Sequence, residues 1–343
     1  MANKLDGKID MEAAKIRAEA RAKEAEAKYK RLLSRYGALE RQNGELSEVS
    51  ERKSKTHEIK AVNSKVSSAT ALLVASDWHM EEVVEPDKVN GLNEYNPEIA
   101  KRRAELFFIN GMKLVKLAEK GVKIDSIVIG AIGDFFSGYI HEELKENNAL
   151  SPVEAMMLFR ETFISGIKYL LKNCTYDITV VCKDGNHGRQ TEKIQVSTRT
   201  ENSNEWFLYH MIKCEFKDCP RVNFIIERGE YTYLKVYDTT LRFLHGDSIR
   251  YGGGVGGIHI PLRKAISQMD KAKKADLTVM GHWHQLEKSK SYLVNGSLIG
   301  WNAYAARIKA DYEIPQQAFL LIDKDWGPSV FAPIRVTDTN PNK

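Results

Sequence analysis

The sequence lacks three features that would each have defined a class of protein. No apolar run approaches the roughly 20 residues that a helix needs to cross a bilayer. The first residues do not show the charged-then-apolar order of a signal peptide. The four cysteines form no C-x-x-C pair, which argues against a disulfide framework and against a zinc ribbon. We therefore expect a cytoplasmic protein with reduced thiols and no membrane segment.

A strong charge of either sign is also missing. The chain has 51 basic and 46 acidic residues over 343 positions, a net charge of +5. This charge permits an anionic substrate but is too small to identify a nucleic-acid partner. The 43% hydrophobic content is enough for a full-sized core in one large domain or two ordinary ones.

Proline is absent from about residue 11 to residue 46, where a heptad pattern appears. One series of residues spaced seven apart consists of Met11, Ala18, Ala25, Leu32, Leu39 and Leu46. A second series, three positions earlier in the heptad, consists of Ala22, Tyr29, Tyr36 and Asn43. The pattern predicts a coiled-coil arm over residues 1–55 that makes a homo-oligomer, followed by a polar linker over residues 56–70. A single charged surface helix is the alternative.

Strand and helix patterns alternate after the linker. The main domain is predicted over residues 71–335, with a polar tail at 336–343. Its first half reads as strand, helix, strand, helix, strand, which is typical of an α/β layered core. The two helices are predicted from Pro97 to Lys120, with a cap at Asn96, and from Pro152 to Leu171, with a cap at Ser151.

Short apolar runs crowd the second half. The runs Val222–Ile226, Tyr231–Tyr237 and Thr240–His245 follow one another closely and predict antiparallel hairpins in a second sheet. A helix is predicted from about Ile258 to Lys274, and further strands at Leu277–Met280, near Tyr292–Val294 and near Ala318–Ile322.

Metal-capable side chains follow several of the predicted strands. They lie in five segments: Asp77-Trp78-His79, Gly133-Asp134, Gly185-Asn186-His187, His245-Gly246-Asp247 and Gly281-His282-Trp283-His284. Five of the nine histidines fall there. In an extended chain residues two apart share a face, so Asp77 and His79 can bind one ion while Trp78 points into the core. Asp134 is the natural bridge between two ions because a carboxylate has two oxygens. The pattern therefore indicates a dinuclear metal site.

These five segments, in this order and strand context, resemble the calcineurin-like metallophosphoesterase family from Leu72 to about His284. The resemblance implies a two-sheet α/β sandwich flanked by helices. It implies two divalent ions, with Mn favoured and Fe, Zn or Ni as alternatives. It places Asp77, His79, Asp134 and His284 on the first ion. It places Asp134, Asn186, His245 and His282 on the second ion.

The resemblance also implies a mechanism. A metal-bridging hydroxide would attack phosphorus, and His187, as an imidazolium, would contact the phosphate and protonate the leaving oxygen. Many family phosphatases carry G-D-x-x-D in the second segment, and this chain has Ser137 at the second carboxylate position. The third segment and the glycine-rich stretch after His245 look most like uncharacterised bacteriophage members, whose compartment would be the host cytoplasm.

The sequence favours phosphodiester hydrolysis, with DNA as substrate. Arg189 either reaches the substrate phosphate or lies in a solvated loop. Arg250 opens a basic stretch that continues on a predicted helix and is a second candidate for substrate binding. The alternatives are a phosphomonoesterase, a phosphodiesterase of small molecules, or an oligomeric scaffold without catalysis.

Overall fold

The structure is a computed structural model that describes residues 2–51, 66–140, 142–250, 257–308 and 310–338. It divides into two compact units, residues 1–64 and residues 65–343. The predicted linker and the tail lie largely outside the described residues, as do His141 and most of the glycine-rich stretch, residues 251–256.

The first unit contains one long helix, α1 (Ala2–Glu51). Alanine, glutamate, lysine and arginine dominate this segment and are all strong helix formers. The two glycines, Gly37 and Gly44, do not interrupt the helix. The helical arm predicted from the heptad pattern is therefore present, whereas its self-association stays a prediction.

The second unit combines two β-sheets with helices. Its helices are α2 (Pro97–Ala118), α3 (Glu142–Asn147), α4 (Pro152–Asn173), α5 (Asn204–Glu215), α6 (His259–Ala272) and α7 (Ala303–Ile308). Its strands are β1 (Ser68–Ala75), β2 (Lys123–Ala131), β3 (Asp177–Cys182), β4 (Val222–Ile226), β5 (Thr232–Val236), β6 (Thr239–Phe243), β7 (Leu277–Met280), β8 (Glu287–Lys288), β9 (Tyr292–Val294), β10 (Gln316–Asp323) and β11 (Gly327–Arg335).

The first sheet has the strand order β11-β10-β1-β2-β3-β4. Strands β1 to β4 are parallel, and β10 and β11 add an antiparallel edge. The second sheet has the order β5-β6-β7-β9-β8. Its β5–β6 pair is the predicted antiparallel hairpin, and β6, β7 and β9 pair in parallel, with α6 as the crossover from β6 to β7. The prediction that Val222–Ile226 belongs to the second sheet is wrong, because β4 follows the crossover helix α5 and pairs in parallel with β3 in the first sheet.

Side chains alternate between two apolar layers along β1. Leu72 and Val74 point between the two sheets, where they pack with Phe243 and Val279. The intervening residues of β1 belong to the core between the first sheet and helices α2, α4 and α5. A third cluster lies between the second sheet and α6. The predicted two-sheet α/β sandwich flanked by helices is thus confirmed.

Local sequence signals start the two longest helices of this unit as predicted. The Asn96 side chain accepts a hydrogen bond from the Ile99 amide at 3.0 Å, and Pro97 occupies the first position of α2. Ser151 and Glu154 form a reciprocal capping box at the start of α4. These caps fix where the helices begin, and therefore how they cover the first sheet.

None of the helices in the described part of the chain combines the length and the apolar character needed to span a membrane. Of the four unpaired cysteines, Cys182 is buried, Cys174 and Cys219 are half-buried and Cys214 is exposed.

Candidate dinuclear metal centre

Each predicted ligand lies in a loop just after the carboxyl end of a strand. Asp77 follows β1, Asp134 follows β2 and Asn186 follows β3 in the first sheet. His245 follows β6, and the His282–His284 segment follows β7, in the second sheet. Parallel strands end at the same edge of their sheet, and the two sheets pack face to face. The sequence positions, spread over more than two hundred residues, therefore meet at one edge of the sandwich.

Hydrogen bonds lock these loops together. The Trp78 amide donates to the Asp134 carbonyl at 2.8 Å, which ties the loop after β1 to the loop after β2. The His282 amide lies 3.0 Å from both carboxylate oxygens of Asp77. The His187 amide donates to Asp134 Oδ1 at 2.8 Å. Both carboxylates are thus held by backbone donors before any ligand binds.

Glycine is required where the loops after β2 and β3 meet. Gly133 has a φ of +94°, and a Cβ there would lie 2.3 Å from the Gly185 amide nitrogen. A Cβ on Gly185 would lie 2.1 Å from Asp134 Oδ1. Two backbones approach this closely only without side chains. The Gly-Asp and Gly-Asn-His segments therefore use their glycines to bring Asp134 next to the loop that carries Asn186.

The ligand atoms form three overlapping groups, within each of which the atoms lie less than 4.8 Å apart. These groups are Asp77, His79 and His284; His79, Asp134 and His187; and Asp134, His245 and His282. His79 and Asp134 each belong to two of them, and of these two only Asp134 has two carboxylate oxygens that two ions could share. His79 Nε2 and His284 Nε2 face each other at 3.3 Å. The seven expected ligands, Asp134 being shared by both ions, all belong to these groups of acidic and histidine side chains except the amide Asn186.

Five of the predicted ligands share an unusual backbone conformation. Asp77, His79, Asp134, His282 and His284 have φ angles between 46° and 69°, in the left-handed region. Asp77 and His79 therefore do not alternate as in an extended strand, which corrects the geometry expected from the sequence. The expected result still holds, because both side chains reach the site while Trp78 is fully buried against Phe107 and Phe135. Trp283 is only half-buried.

Two buried polar atoms at the site, Asn186 Oδ1 and His245 Nε2, have the surroundings expected of metal ligands. Asn186 Oδ1 is buried and has no hydrogen-bond partner among the described residues. His245 Nε2 is also buried without a hydrogen bond of good geometry among the described residues, and it lies 2.8 Å from Asp134 Oδ2. His245 Nδ1 is committed to the Ile132 carbonyl at 2.8 Å, which turns Nε2 toward the cluster. A buried acceptor without a donor is costly, and a cation between these atoms would satisfy both.

Charge is strongly polarised within the cluster. Burial raises the pKa of the Asp77 carboxyl, but the hydrogen bond and charge of His284 outweigh burial and hold that pKa below its usual value. Burial lowers the pKa of His79, but the carboxylates of Glu82, Asp134 and Asp77 raise it to about 9. The Asp134 carboxylate similarly raises the pKa of His245 to about 10 against the effect of burial. Protons on two histidines thus balance two carboxylates, and divalent ions would replace those protons.

His187 is buried beside the metal ligands. Burial lowers its pKa to about 4, and the positive charge of His79 acts in the same direction. Its Nδ1 lies 3.1 Å from the Ser137 carbonyl oxygen, so the Nδ1–H donates to that carbonyl. This surrounding favours the neutral ring, and the imidazolium implied by the resemblance stays a prediction for the substrate-bound state. A bound phosphate anion beside the ring would favour its second protonation.

Two buried glutamates that sequence reasoning missed support this region. Glu82 Oε1 lies 3.2 Å from His79 Nδ1 and accepts a short hydrogen bond from the Ser137 hydroxyl. Glu81 Oε1 accepts from the Ser137 and Gly138 amides at 2.7 and 2.8 Å. The signal in the sequence is only the Glu-Glu pair that closely follows His79. Glu82 therefore places a carboxylate beside Ser137. This is the position at which many phosphatases of the family that the sequence resembles carry their second carboxylate.

Two further charged residues hold the loops and were also missed. Glu205, buried near the start of α5, accepts from the Phe135 amide at 2.8 Å and the Gly185 amide at 2.6 Å. Arg199 donates to Asp184 at 2.8 Å and to both oxygens of Asp247 at 2.9 and 3.0 Å. Asp184 precedes Asn186 by two residues and Asp247 follows His245 by two. Arg199 thus joins the two loops that carry ligands proposed for the second ion.

The two arginines predicted to bind substrate are placed differently. Arg189 donates to three backbone carbonyls of its own loop, those of Asn186, Thr191 and Glu192. This arrangement favours the second alternative, in which Arg189 belongs to its loop and does not reach the substrate phosphate. Arg250 is exposed, next to the residues outside the described part.

Comparison with known proteins adds the following. No family model matches the chain, and no curated protein matches it. Among solved structures, the chain is similar to an archaeal phosphodiesterase at 13% identity, with a TM-score of 0.33, covering 77% of this chain and 99% of the other. It is similar to zinc-complexed Vps29 from Entamoeba histolytica at 13% identity, with a TM-score of 0.31, covering 77% and 99%. A hypothetical protein from Pyrococcus horikoshii matches at 12% identity, with a TM-score of 0.39, covering 78% and 89%. At this level of similarity, the chemistry of the site rests on the residues of this chain alone.

Proposed function

We propose that this protein is a phosphoesterase that uses two divalent metal ions, Mn in the first instance, to hydrolyse phosphodiester bonds in DNA. The observation that carries the proposal is the convergence of the predicted ligands at one edge of the sandwich, with Asp134 shared between groups and Asn186 Oδ1 left unsatisfied. Such mixed nitrogen and oxygen ligation suits Mn, Fe, Zn or Ni.

The ligands divide between the two ions as the resemblance implies. Asp77, His79, Asp134 and His284 would hold the first ion, and Asp134, Asn186, His245 and His282 the second. Bound ions would supply Lewis acidity, which acidifies a water molecule and neutralises phosphate charge. The chain contributes the rigidity of the site, because backbone amides already orient both carboxylates.

His187 would act on the substrate. Its Nδ1 is committed to the Ser137 carbonyl, so contact with a phosphate oxygen would fall to Nε2. The resting ring is neutral, and the negative charge of the bound phosphate would draw a proton onto it. That proton would then be available for the leaving oxygen. His187 is therefore expected to affect turnover more than metal binding.

A DNA substrate is favoured by exposed cations near the site. Helix α6 begins on the side of the second sheet where β6 ends and His245 lies, because it connects β6 to β7. Its exposed residues include Arg263, Lys264 and Lys271. Exposed cations along a helix that leads away from the site suit a polymeric phosphate backbone better than a small ester.

A phosphomonoesterase is the second candidate, and Glu82 is the observation that favours it. Ser137 stands where many family phosphatases carry a carboxylate, and the lack of one at that position argues against monoester hydrolysis. Glu82 now supplies a buried carboxylate that is bonded to Ser137 and lies close enough to His187 to interact with its charge. A histidine supported in this way can protonate a poor leaving group.

The deciding experiment compares substrates with Mn²⁺ and with a chelator. Labelled single-stranded DNA, labelled double-stranded DNA, an aryl diester and an aryl monoester would be tested side by side. Mn²⁺-dependent cleavage of DNA is the expected result. Turnover of only the small esters would replace the nuclease proposal, and full metal content without turnover of any substrate would favour the scaffold.

Two variants separate metal binding from chemistry in that assay. Asp134→Asn should lose bound metal and activity together, since it removes the shared carboxylate. His187→Ala should retain metal by elemental analysis and lose about 10²- to 10⁴-fold in kcat, the usual contribution of a general acid. Retained turnover in metal-free Asp134→Asn protein would rule out the mechanism.

A further inference from the structure

A row of large apolar side chains along α1 is exposed to solvent. The exposed fractions of Tyr29, Leu32, Tyr36 and Leu39 are 62%, 56%, 61% and 58%. The helix has 50 residues and is about 75 Å long at 1.5 Å per residue. Four such side chains on one stripe of a helix represent a substantial apolar area that association would remove from water.

The row has the spacing of a coiled-coil seam. Tyr29, Tyr36 and Asn43 are seven apart and occupy the position named a in the heptad, while Leu32 and Leu39 occupy position d. A strict period of seven keeps one seam facing a partner. Over residues 22–46 the seam includes Asn43 at position a, and a polar residue there is a known means of fixing the register between helices. Lys15 also occupies position a, so the apolar part of the seam begins after it.

The flanking charges define which way the partner runs. Position g is basic before three of the four a residues from Ala22 to Asn43, the exception being Gln42, and position e after each d residue is mostly acidic. The g residues are Arg21, Lys28 and Arg35, and the e residues are Glu19, Glu26, Leu33 and Glu40. In a parallel pair in register, each g residue faces the e residue five positions later in the other chain. In an antiparallel pair, g faces g and e faces e, which would oppose like charges.

We propose that α1 is the interface of a parallel, in-register dimer with a second copy of this chain. Arg21 of one copy would face Glu26 of the other, and Arg35 would face Glu40, twice each by symmetry. Leu32 and Leu39 would fill the seam and Asn43 would meet its own copy. This inference is independent of the proposed enzymatic activity, since no residue of the metal centre takes part.

The first test is the mass of the full chain in solution. Sedimentation at several concentrations should give twice the mass of 38.9 kDa. The double variant Leu32→Lys, Leu39→Lys should sediment as a monomer with unchanged metal content, because only the seam is altered. A monomeric parent protein, a larger assembly, or a variant that stays dimeric would overturn the proposal.

A matched pair of charge reversals tests the partner's direction. Arg35→Glu would place a glutamate opposite Glu40 of a second copy, whereas Lys28→Glu would face Leu33 and meet no charge there. Glu26 already pairs with Lys30 of its own helix at 2.9 Å, so position 35 is the better test. The dimer dissociation constant should rise about tenfold for Arg35→Glu, since two exposed pairs become repulsive, and little for Lys28→Glu. Equal effects of the two variants would overturn the parallel register.

Cross-linking provides a direct readout of the register. Asn43→Cys should form a covalent dimer with oxidised glutathione, because position a meets its own copy in the seam. Arg41→Cys, on the outer side of the heptad, is the control and should cross-link no faster than the parent protein. Equal cross-linking rates for the two variants would show that position 43 of one copy does not meet position 43 of the other.

Discussion

At the scale of single residues, the ligands occupy backbone conformations that other residues avoid. Five of the seven non-glycine residues with positive φ in the described part of the chain are predicted ligands. A left-handed conformation costs roughly 1–2 kcal/mol for each such residue. The surrounding hydrogen bonds to the Asp77 and Asp134 carboxylates hold the loops against this cost. The strain is therefore concentrated where side chains from different loops must converge.

Glu82 shows how a residue outside the ligand set can control a ligand. Its carboxylate faces His79 Nδ1, which leaves Nε2 of the same ring directed at His284. A carboxylate behind a metal-bound histidine fixes the ring and raises its basicity.

Glu82→Gln should therefore lower the affinity for one of the two ions by about 10- to 100-fold, while the other ion stays bound. Glutamine keeps the shape and loses the charge. Stepwise metal titration by calorimetry would measure the effect, with Glu85→Gln as the control because Glu85 is exposed and three residues further along. If Glu82→Gln binds both ions as tightly as the parent protein, Glu82 has no role at the site.

The ligands were easier to predict from the sequence than the buried residues that hold them in place. Asp77, Asp134 and the histidines stand in recognisable short patterns after strands. Glu82, Glu205 and Arg199 do not, because their importance comes from burial and from partners far away in the chain. An isolated glutamate or arginine in a sequence is most often a surface residue.

At the scale of elements, the site depends on how closely two loops approach. The loops after β2 and β3 are in contact at Gly133 and Gly185, and Glu205 of α5 accepts a hydrogen bond from an amide in each. Parallel pairing of β2 with β3 sets this separation.

Gly185→Ala should accordingly lose metal while the fold persists. The new methyl group would lie 2.1 Å from Asp134 Oδ1 and force the bridging carboxylate aside. Elemental analysis should show loss of at least one ion, with an unfolding free energy reduced by about 1–3 kcal/mol from overpacking. Gly121→Ala is the matched control, since its Cβ would meet nothing closer than 3.9 Å. Two ions bound to Gly185→Ala would contradict the bridging position of Asp134.

Elements that carry local signals were predicted well, and elements defined by distant partners were not. Strands β4, β7 and β9 were predicted to the residue, and the caps of α2 and α4 were as expected. Strand β11 was missed because Pro328 and Pro333 argue against a strand, although they are tolerated at the edge of a sheet. The parallel pairing in the second sheet depends on the crossover by α6, which no local pattern specifies.

At the scale of the whole molecule, the two compact units are expected to respond to different conditions. The metal ligands all lie in residues 65–343, while the coiled-coil seam lies in residues 1–64. A ligand stabilises only the unit that binds it. Association stabilises a helix more at higher protein concentration, with a logarithmic dependence, and it matters here because an isolated helix gains little from propensity alone.

Heat unfolding followed by calorimetry should therefore show two transitions. The transition of the metal-binding unit should move to higher temperature with Mn²⁺, by about 2.7 kcal/mol of added stability at a hundredfold excess over Kd, and should not depend on protein concentration. The transition of α1 should shift with protein concentration and should stay at the same temperature when a chelator is added. Asp134→Asn should abolish the first response and preserve the second, whereas Leu32→Lys with Leu39→Lys should do the reverse. A single transition that responds to both metal and concentration would mean that metal binding and self-association belong to one cooperative structure.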